Sequence, residues 1–321
     1  MNKFAEKLSA LLCVSAAAML PVACTPTSTA PKFDNPRPWH DVAASYERLE
    51  YESAIYDTSN GDRVKIADGT LVFTLTEQFE TEGTVGYSKL ETAFSITYNE
   101  SAPELDCGKT DTIESAVEFQ TDSLITRRST KTVTLAERTG RTDLSYAVSA
   151  DYFAGTAERT MYGEKSELDV EQGMYYDNEM LYFLARATPI AAGGQTAFYS
   201  TNLFDSFLNG KITTYNTATR TASEISTLYF DAWVADFGVQ SEQSDTDETV
   251  YPVKCFSTDI GINASKSGPT YKVHYSQEPF VKNGKSHAKI PLMIAYPQYS
   301  GAAQVRMNEY RLVSCSFEKS E

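Results

Sequence analysis

Three histidines, five cysteines and 43 carboxylates are spread over 321 residues, and any chemistry must be assembled from them. His40, His274 and His287 lack metal-ligand spacing, and no His-Glu-x-x-His or paired Cys-x-x-Cys motif occurs. His274 stands between Val273 and Tyr275 in an alternating run, which points it to water, and His287 follows a turn signal. Cys107, within Glu104-Leu105-Asp106-Cys107-Gly108-Lys109, has a lysine nearby but no histidine to serve as base, so no catalytic thiolate is expected there. Cys255 shares a strand face with Tyr251 and Val253, and Cys315 shares one with Val313 and Phe317. Both thiols therefore point into apolar surroundings, and the sequence leaves open either a disulfide between them or two buried free thiols. Asp245-Thr246-Asp247-Glu248 has acids but neither the glycine nor the distal glutamate of a calcium loop. There is also no nucleophile elbow, phosphate loop or dinucleotide fingerprint. No metal and no cofactor are expected. Paired carboxylates of the kind that hydrolyse glycans would have to converge in space, which spacing along the chain does not reveal.

The side chains left to consider are aromatic. Twenty tyrosines include Tyr175, Tyr176, Tyr182, Tyr199, Tyr215, Tyr271 and Tyr275, mostly on or beside strand-like runs. Tyrosine suits a half-buried β face, the rim of an apolar cavity or a platform for sugar rings, and the structural role is the expected one. The excess of 43 acids over 28 bases gives a net charge of -15, which sets nucleic-acid partners aside because backbone binding needs a cationic footprint. With 41% hydrophobic and 12% aromatic residues the chain has the material for a core.

The elements that must position these groups are strands. Leu71-Phe73-Leu75, Phe94-Ile96-Tyr98, Tyr146-Val148-Ala150-Tyr152 and Tyr271-Val273-Tyr275 each alternate with polar neighbours, the pattern of a sheet with one dry face. A strand is also expected from about Tyr46. Asn60-Gly61, Asp68-Gly69, Asn209-Gly210 and Asn283-Gly284 supply the positive backbone angles of hairpin turns, with Asn209-Gly210 joining Phe204–Leu208 to Lys211–Tyr215. Residues 177–189 break the pattern. Asp177 or Asn178 can cap a short helix there, Pro189 marks its stop, and Met180, Leu181, Phe183 and Leu184 make it apolar on nearly every side. Such a helix is expected to plug the concave face of a curved sheet.

The N-terminus is of another character. Lys3 and Lys7 precede a 13-residue apolar stretch, Leu8 to Leu20, which is too short to cross a bilayer as a helix and reads as a secretory signal. Ala23-Cys24 resembles the lipobox of bacterial lipoproteins, with Pro21 and Leu20 departing slightly from its usual order. That resemblance implies a diacylglyceryl group on Cys24 and cleavage after residue 23. Four prolines among residues 25–38, with several threonines, then read as an extended tether. The expected organisation is a signal peptide over 1–23, lipidated Cys24 and tether over 24–40, and one antiparallel β-rich domain over 41–321 with an acidic loop at 240–249.

Residues 177–186, the Asn209-Gly210 turn, Ser267–Ser276 and Ile290-Pro291-Leu292 follow one another in an order similar to a family of uncharacterised bacterial lipoproteins. More distantly they look like the lipoprotein-carrier group, in which an open half-barrel curls around helical plugs. The resemblance covers roughly residues 130–317. It implies a mostly β fold, a curled antiparallel sheet or open half-barrel with one short apolar plug helix. It also implies a hydrophobic small ligand or lipid in the concavity. Met180, Leu181, Leu184 and Tyr199 are the residues expected to line it. The expected protein is extracytoplasmic, anchored to a membrane or envelope through its N-terminal lipid, and non-catalytic. A structural envelope-interaction protein and a glycan-acting enzyme are the alternatives, and the sequence says nothing of oligomeric state.

Overall fold

The computed structural model describes residues 46–78, 86–104, 106–136, 145–244, 248–262, 270–300 and 303–319. Cys24, His40, the signal stretch, the tether and Asp245–Asp247 lie outside the described residues.

The N-terminal half is a run of hairpins. It comprises β1 (Tyr46–Asp57), β2 (Val64–Gln78), β3 (Tyr87–Tyr98), β4 (Thr110–Gln120), β5 (Thr126–Thr134), β6 (Tyr146–Asp151), β7 (Thr156–Met161) and β8 (Glu164–Asp169). After a helical crossing come β9 (Gln195–Asn202), β10 (Thr213–Phe230), β11 (Glu242–Gln243), β12 (Thr249–Ile262) and β13 (Thr270–Ser276). The short pair β14 (Phe280–Lys282) and β15 (Lys285–His287) precedes β16 (Pro291–Ser300) and β17 (Ala303–Ser316). All but β14 and β15 belong to one 15-stranded sheet, whose main path reads β8-β7-β6-β5-β4-β3-β2-β1-β17-β16-β13-β12-β10-β9. The chain therefore walks outward from β1 to one edge, crosses over, and returns from the other edge to β17. The antiparallel pairing of β1 with β17, for example Leu49 opposite Cys315, joins the two halves. The path ends at β8 and β9, which do not pair, so the sheet is open.

The crossing supplies the plug. Asp177 accepts a hydrogen bond from Glu179 N and caps a 3-10 turn at Asn178–Met180, which runs into α1 (Leu181–Arg186). Phe73 of β2 packs edge-on against both Tyr182 and Phe183, while Tyr182 packs against Tyr271 of β13. Those two strands are separated by β1, β17 and β16, so the sheet must curl around α1 for both to reach it. This is the mostly β, curled, open architecture expected from the alternating runs, whose apolar residues form the dry face.

Several local expectations are corrected. Asn209-Gly210 does not join two strands: Leu203–Asn209 is a helix, α2, capped by the Asn202 side chain and ended by Gly210 at φ 66°. The left-handed angle that an Asn-Gly pair offers serves a helix end as well as a hairpin. Asp68-Gly69 lies inside β2, where a Cβ on Gly69 would fall 1.9 Å from the Ser95 carbonyl oxygen. Glycine is present there for close strand approach rather than for a turn. Asn60-Gly61 and Asn283-Gly284 do turn their hairpins, with positive φ at Gly61, Asn283 and Gly284. The helical content exceeds one plug: besides α1 there are α2 and a 3-10 turn at Ala232–Phe237. Within that turn and beyond it, Phe237 packs on Phe280 and Phe317. The acidic loop is partly strand, because β11 pairs with the start of β12. No helix among the described residues is long and apolar enough to cross a membrane.

Candidate functional site

Met180, Leu181 and Leu184 are 0%, 3% and 0% exposed, packed into one continuous core with the dry face of the sheet. Tyr199 is elsewhere: it alternates on β9 with buried Phe198 and Ser200, so it lies on the opposite face from the plug. The four residues expected to line a ligand do not converge on a cavity.

Polar groups gather instead at the two flanks of the plug. On the first, Lys131 of β5 reaches inward and pairs with Glu179 at 2.7 Å. Beside them Asp177 is buried, with one carboxylate oxygen accepting from Glu179 N at 2.9 Å and the other from the Tyr152 hydroxyl at 2.8 Å. Its own N–H donates to Thr126 Oγ1 at 2.9 Å. Burial, reinforced by the Glu179 charge, raises the Asp177 carboxyl from 3.8 to about 6 despite these hydrogen bonds. On α2, Asp205 accepts from the Tyr215 hydroxyl at 2.6 Å, and burial raises its carboxyl too. Two carboxyls pushed upward beside a lysine-paired Glu179 have the composition of an acid–base site. The space they enclose does not match it. The cleft lined by Lys131, Asp177, Glu179 and Asp205 holds about 20 Å³, whereas ligand pockets run to about 300–1,000 Å³. It admits one water, not a sugar ring.

On the second flank, Arg186 at the end of α1 grips Glu47 of β1 through two bonds, Nη1 to Oε1 at 2.6 Å and Nη2 to Oε2 at 3.0 Å. The guanidinium also donates to the Ala288 carbonyl, at 2.9 Å from Nε and 2.7 Å from Nη2. His287 Nδ1 lies 2.8 Å from the same Glu47 carboxylate, and its ring stacks on Phe317 at 3.6 Å. Burial by itself pushes the Glu47 carboxyl up. The Arg186 charge and the hydrogen bonds from His287 and Arg186 outweigh it and hold the group at about 2. All three side chains are buried, so this is a clamp that ties plug, β1 and the segment after β15 together, not a place where substrate arrives.

Cys255 and Cys315 are buried free thiols and Cys107 is an exposed one. Two strands, β13 and β16, lie between β12 and β17, which puts the buried pair roughly 14 Å apart along the sheet, against the limit of about 7 Å for a disulfide. The bridge left open by the sequence is not formed. Cys255 Sγ approaches His274 Nδ1 at 3.7 Å, but burial raises the thiol to about 11 and lowers the imidazole, so the pair is neutral. His274 is half-buried rather than facing water. Among the described residues no three of His, Cys, Asp or Glu come together in a way that could hold a metal ion.

A larger concavity lies on the outer face. It spans β2 to β5 with about 320 Å³ of open space, floored by Ala93 and Ala116 and edged by Thr74, Thr130, Glu91 and Glu114. Sequence reasoning passed over Lys131, Asp205, Glu47 and this trough. Arg186 alone gave a signal, since a cation in an otherwise apolar helix demands a buried acid.

No protein-family model matches the chain, and no curated protein matches it in sequence. The likeness to lipoprotein families therefore rests on the residue patterns alone. Among solved structures the chain is similar to one described as a beta-barrel-like protein of a domain of unknown function from Brucella abortus. The identity is 11%, 87% of this chain and 100% of that chain are covered, and the TM-score is 0.46.

Proposed function

We propose that the chain is an exported protein held at a membrane by a diacylglyceryl group on Cys24, whose β-rich body recognises a partner on its outer surface without catalysis. One observation carries the choice against a lipid carrier: the concave face is filled, with Met180, Phe183 and Leu184 at 0%, 1% and 0% exposure. A hydrophobic ligand would have to displace α1, and α1 is held by the buried Glu47–Arg186 pair. Recognition is left to the outside of the sheet, its edges and the trough across β2 to β5. Extracytoplasmic location and anchoring are supported by the apolar stretch at Leu8 to Leu20, by Ala23-Cys24 and by the proline-rich run that follows.

The test uses the full chain with Cys24→Ser, titrated with a fluorescent apolar probe. Weak, unsaturable signal is expected. Saturable binding of one probe per chain would restore the carrier reading. Mass spectrometry of the N-terminal peptide from membrane fractions checks the anchor: a chain beginning at Cys24 and carrying the mass of a diacylglyceryl group there is expected, and an unmodified Cys24 would remove the lipid from the account.

A further inference from the structure

The thiol of Cys255 and the imidazole of His274 take no part in the plug or its two flanks. The pairing of β12 with β13 sets Ser276 opposite Cys255 and His274 opposite Ser257, so Cys255 and His274 are diagonal neighbours on one face of the sheet. That face is the outer one, because Val273 and Tyr275, on either side of His274, point into the core. β16 adds a third group to it. Met293 stands directly opposite His274, which puts both side chains on the same face with their Cβ atoms about 4.5–5.5 Å apart. A thiol, an imidazole and a thioether thus lie across three adjacent strands, an arrangement that their spacing along the chain conceals. The end of β10 folds over this patch. Arg311 of β17, the other cross-strand neighbour of Met293, donates to the Tyr229 carbonyl and lies over the Phe230 ring, although β16, β13 and β12 separate the two strands along the sheet.

The geometry is that of a low-coordinate soft-metal site. Cys255 Sγ and His274 Nδ1 are 3.7 Å apart. An ion bonded at about 2.3 Å to sulfur and about 2.0 Å to nitrogen, with about 120° between the bonds, spans about 3.7 Å, so the two atoms already stand as ligands of one three-coordinate ion. Zinc does not suit the set, since it takes four ligands from thiolate, imidazole and carboxylate, and no third His, Cys, Asp or Glu joins the group among the described residues. Thiolate with thioether selects copper(I) instead. Burial and the Lys272 charge outweigh Asp259 and lower the His274 imidazole, which keeps it neutral and able to ligate. Burial raises the Cys255 thiol to about 11, so without an ion the sulfur keeps its proton, with the Ser226 carbonyl 3.5 Å away to accept it.

We propose that Cys255, His274 and Met293 form a copper(I) site on the outer face, with Cys255 Sγ, His274 Nδ1 and Met293 Sδ as ligands. Binding exchanges the thiol proton for the ion: Cys–SH and Cu(I) give Cys–S–Cu(I) and one released proton, and copper keeps its oxidation state. Thiolate and ion together carry no net charge, so no uncompensated charge is left in a partly buried place. His274 and Met293 are half-buried, and their rotation admits a bare ion to the buried Cys255 sulfur. The site is independent of the partner recognition proposed above.

The experiment uses the full chain with Cys13, Cys24 and Cys107 replaced by serine, which leaves Cys255 and the buried Cys315. Copper(I) is supplied without oxygen in competition with a chromophoric copper(I) chelator. One ion withdrawn per chain and one proton released are expected, with X-ray absorption showing two sulfur ligands and one nitrogen. Cys255→Ser should abolish retention. Met293→Leu keeps the side-chain volume, so it should fold, which far-ultraviolet dichroism and the melting midpoint check. It should leave one sulfur on copper and weaken binding at least about tenfold, since even the loss of a residue that only orients a ligand costs about 10–100-fold. His274→Gln should remove the nitrogen and leave both sulfurs. No ion retained against the chelator overturns the proposal. So does retention that Cys255→Ser or Met293→Leu leaves unchanged, or zinc(II) held in preference to copper(I).

Discussion

Replacing Asp177 with asparagine removes a carboxylate that the fold holds at an unfavourable place. Burial and the Glu179 charge raise its carboxyl from 3.8 to about 6, while Lys131 is already engaged with Glu179. A carboxyl whose folded value is raised binds its proton more tightly in the folded than in the unfolded chain. Stability is then highest at low pH, falls as pH climbs from 3.8 through about 6, and stays lowered above that. The rise from 3.8 to about 6 corresponds to about 3 kcal/mol of preference for the protonated form in the folded chain. Asparagine keeps an oxygen to accept from Glu179 N and titrates nothing. Relative to the parent, Asp177→Asn is expected to gain up to about 3 kcal/mol between about pH 4 and about pH 7. Urea unfolding of both proteins across that range reads the difference, and subtraction cancels the titrating groups that do not interact with Asp177. Glu47, held at about 2, acts with the opposite sign, stabilising above its ordinary 4.5 and losing that contribution as pH falls toward 2. Parallel stability curves for parent and variant over the Asp177 window would refute the burial argument.

Three further outcomes are expected. Glu47→Gln strands the buried Arg186 and should cost about 3–5 kcal/mol in chemical unfolding, whereas the apolar pair Glu47→Leu with Arg186→Met should recover most of it; equal losses in both would mean the charges contribute nothing specific. Gly69→Ala sets a methyl against the Ser95 backbone carbonyl and should lower the melting midpoint sharply or block folding, where a null effect would contradict the β2–β3 register. Among Cys107, Cys255 and Cys315, a thiol reagent should modify Cys107 alone in the folded protein and all three after unfolding, and protection of Cys255 and Cys315 from reagent even after unfolding would reveal a bridge.

Strands and plug were legible because one-sided burial writes itself into alternation. Phe73, Phe94, Val148 and Val273 fall on the dry face as their spacing requires, and Asp177 caps where its residue type suggests. Turn chemistry was legible only in part. An Asn-Gly pair announces positive φ without saying whether a hairpin or a helix end needs it, and the Leu203-Phe204-Phe207-Leu208 spacing that marks α2 was the overlooked arbiter. Gly69 reports a close approach to β3 that local sequence does not contain. The clamp was out of reach for a different reason. Arg186 lies 139 residues from Glu47, and His287 lies 240 residues from it, so only the pairing of β1 with β17 and the crossing of α1 bring them together. The filled interior likewise depends on how tightly the sheet curls, which the hydrophobic pattern leaves free.

That filled interior is the claim on which the functional reading turns. The most direct measurement is native mass spectrometry, with organic extraction, of the full chain carrying Cys24→Ser and purified from a bacterial host. The expected result is the mass of protein alone, with no lipid in molar proportion to it. One lipid per chain, released on unfolding, would show that the sheet encloses a ligand and would contradict it.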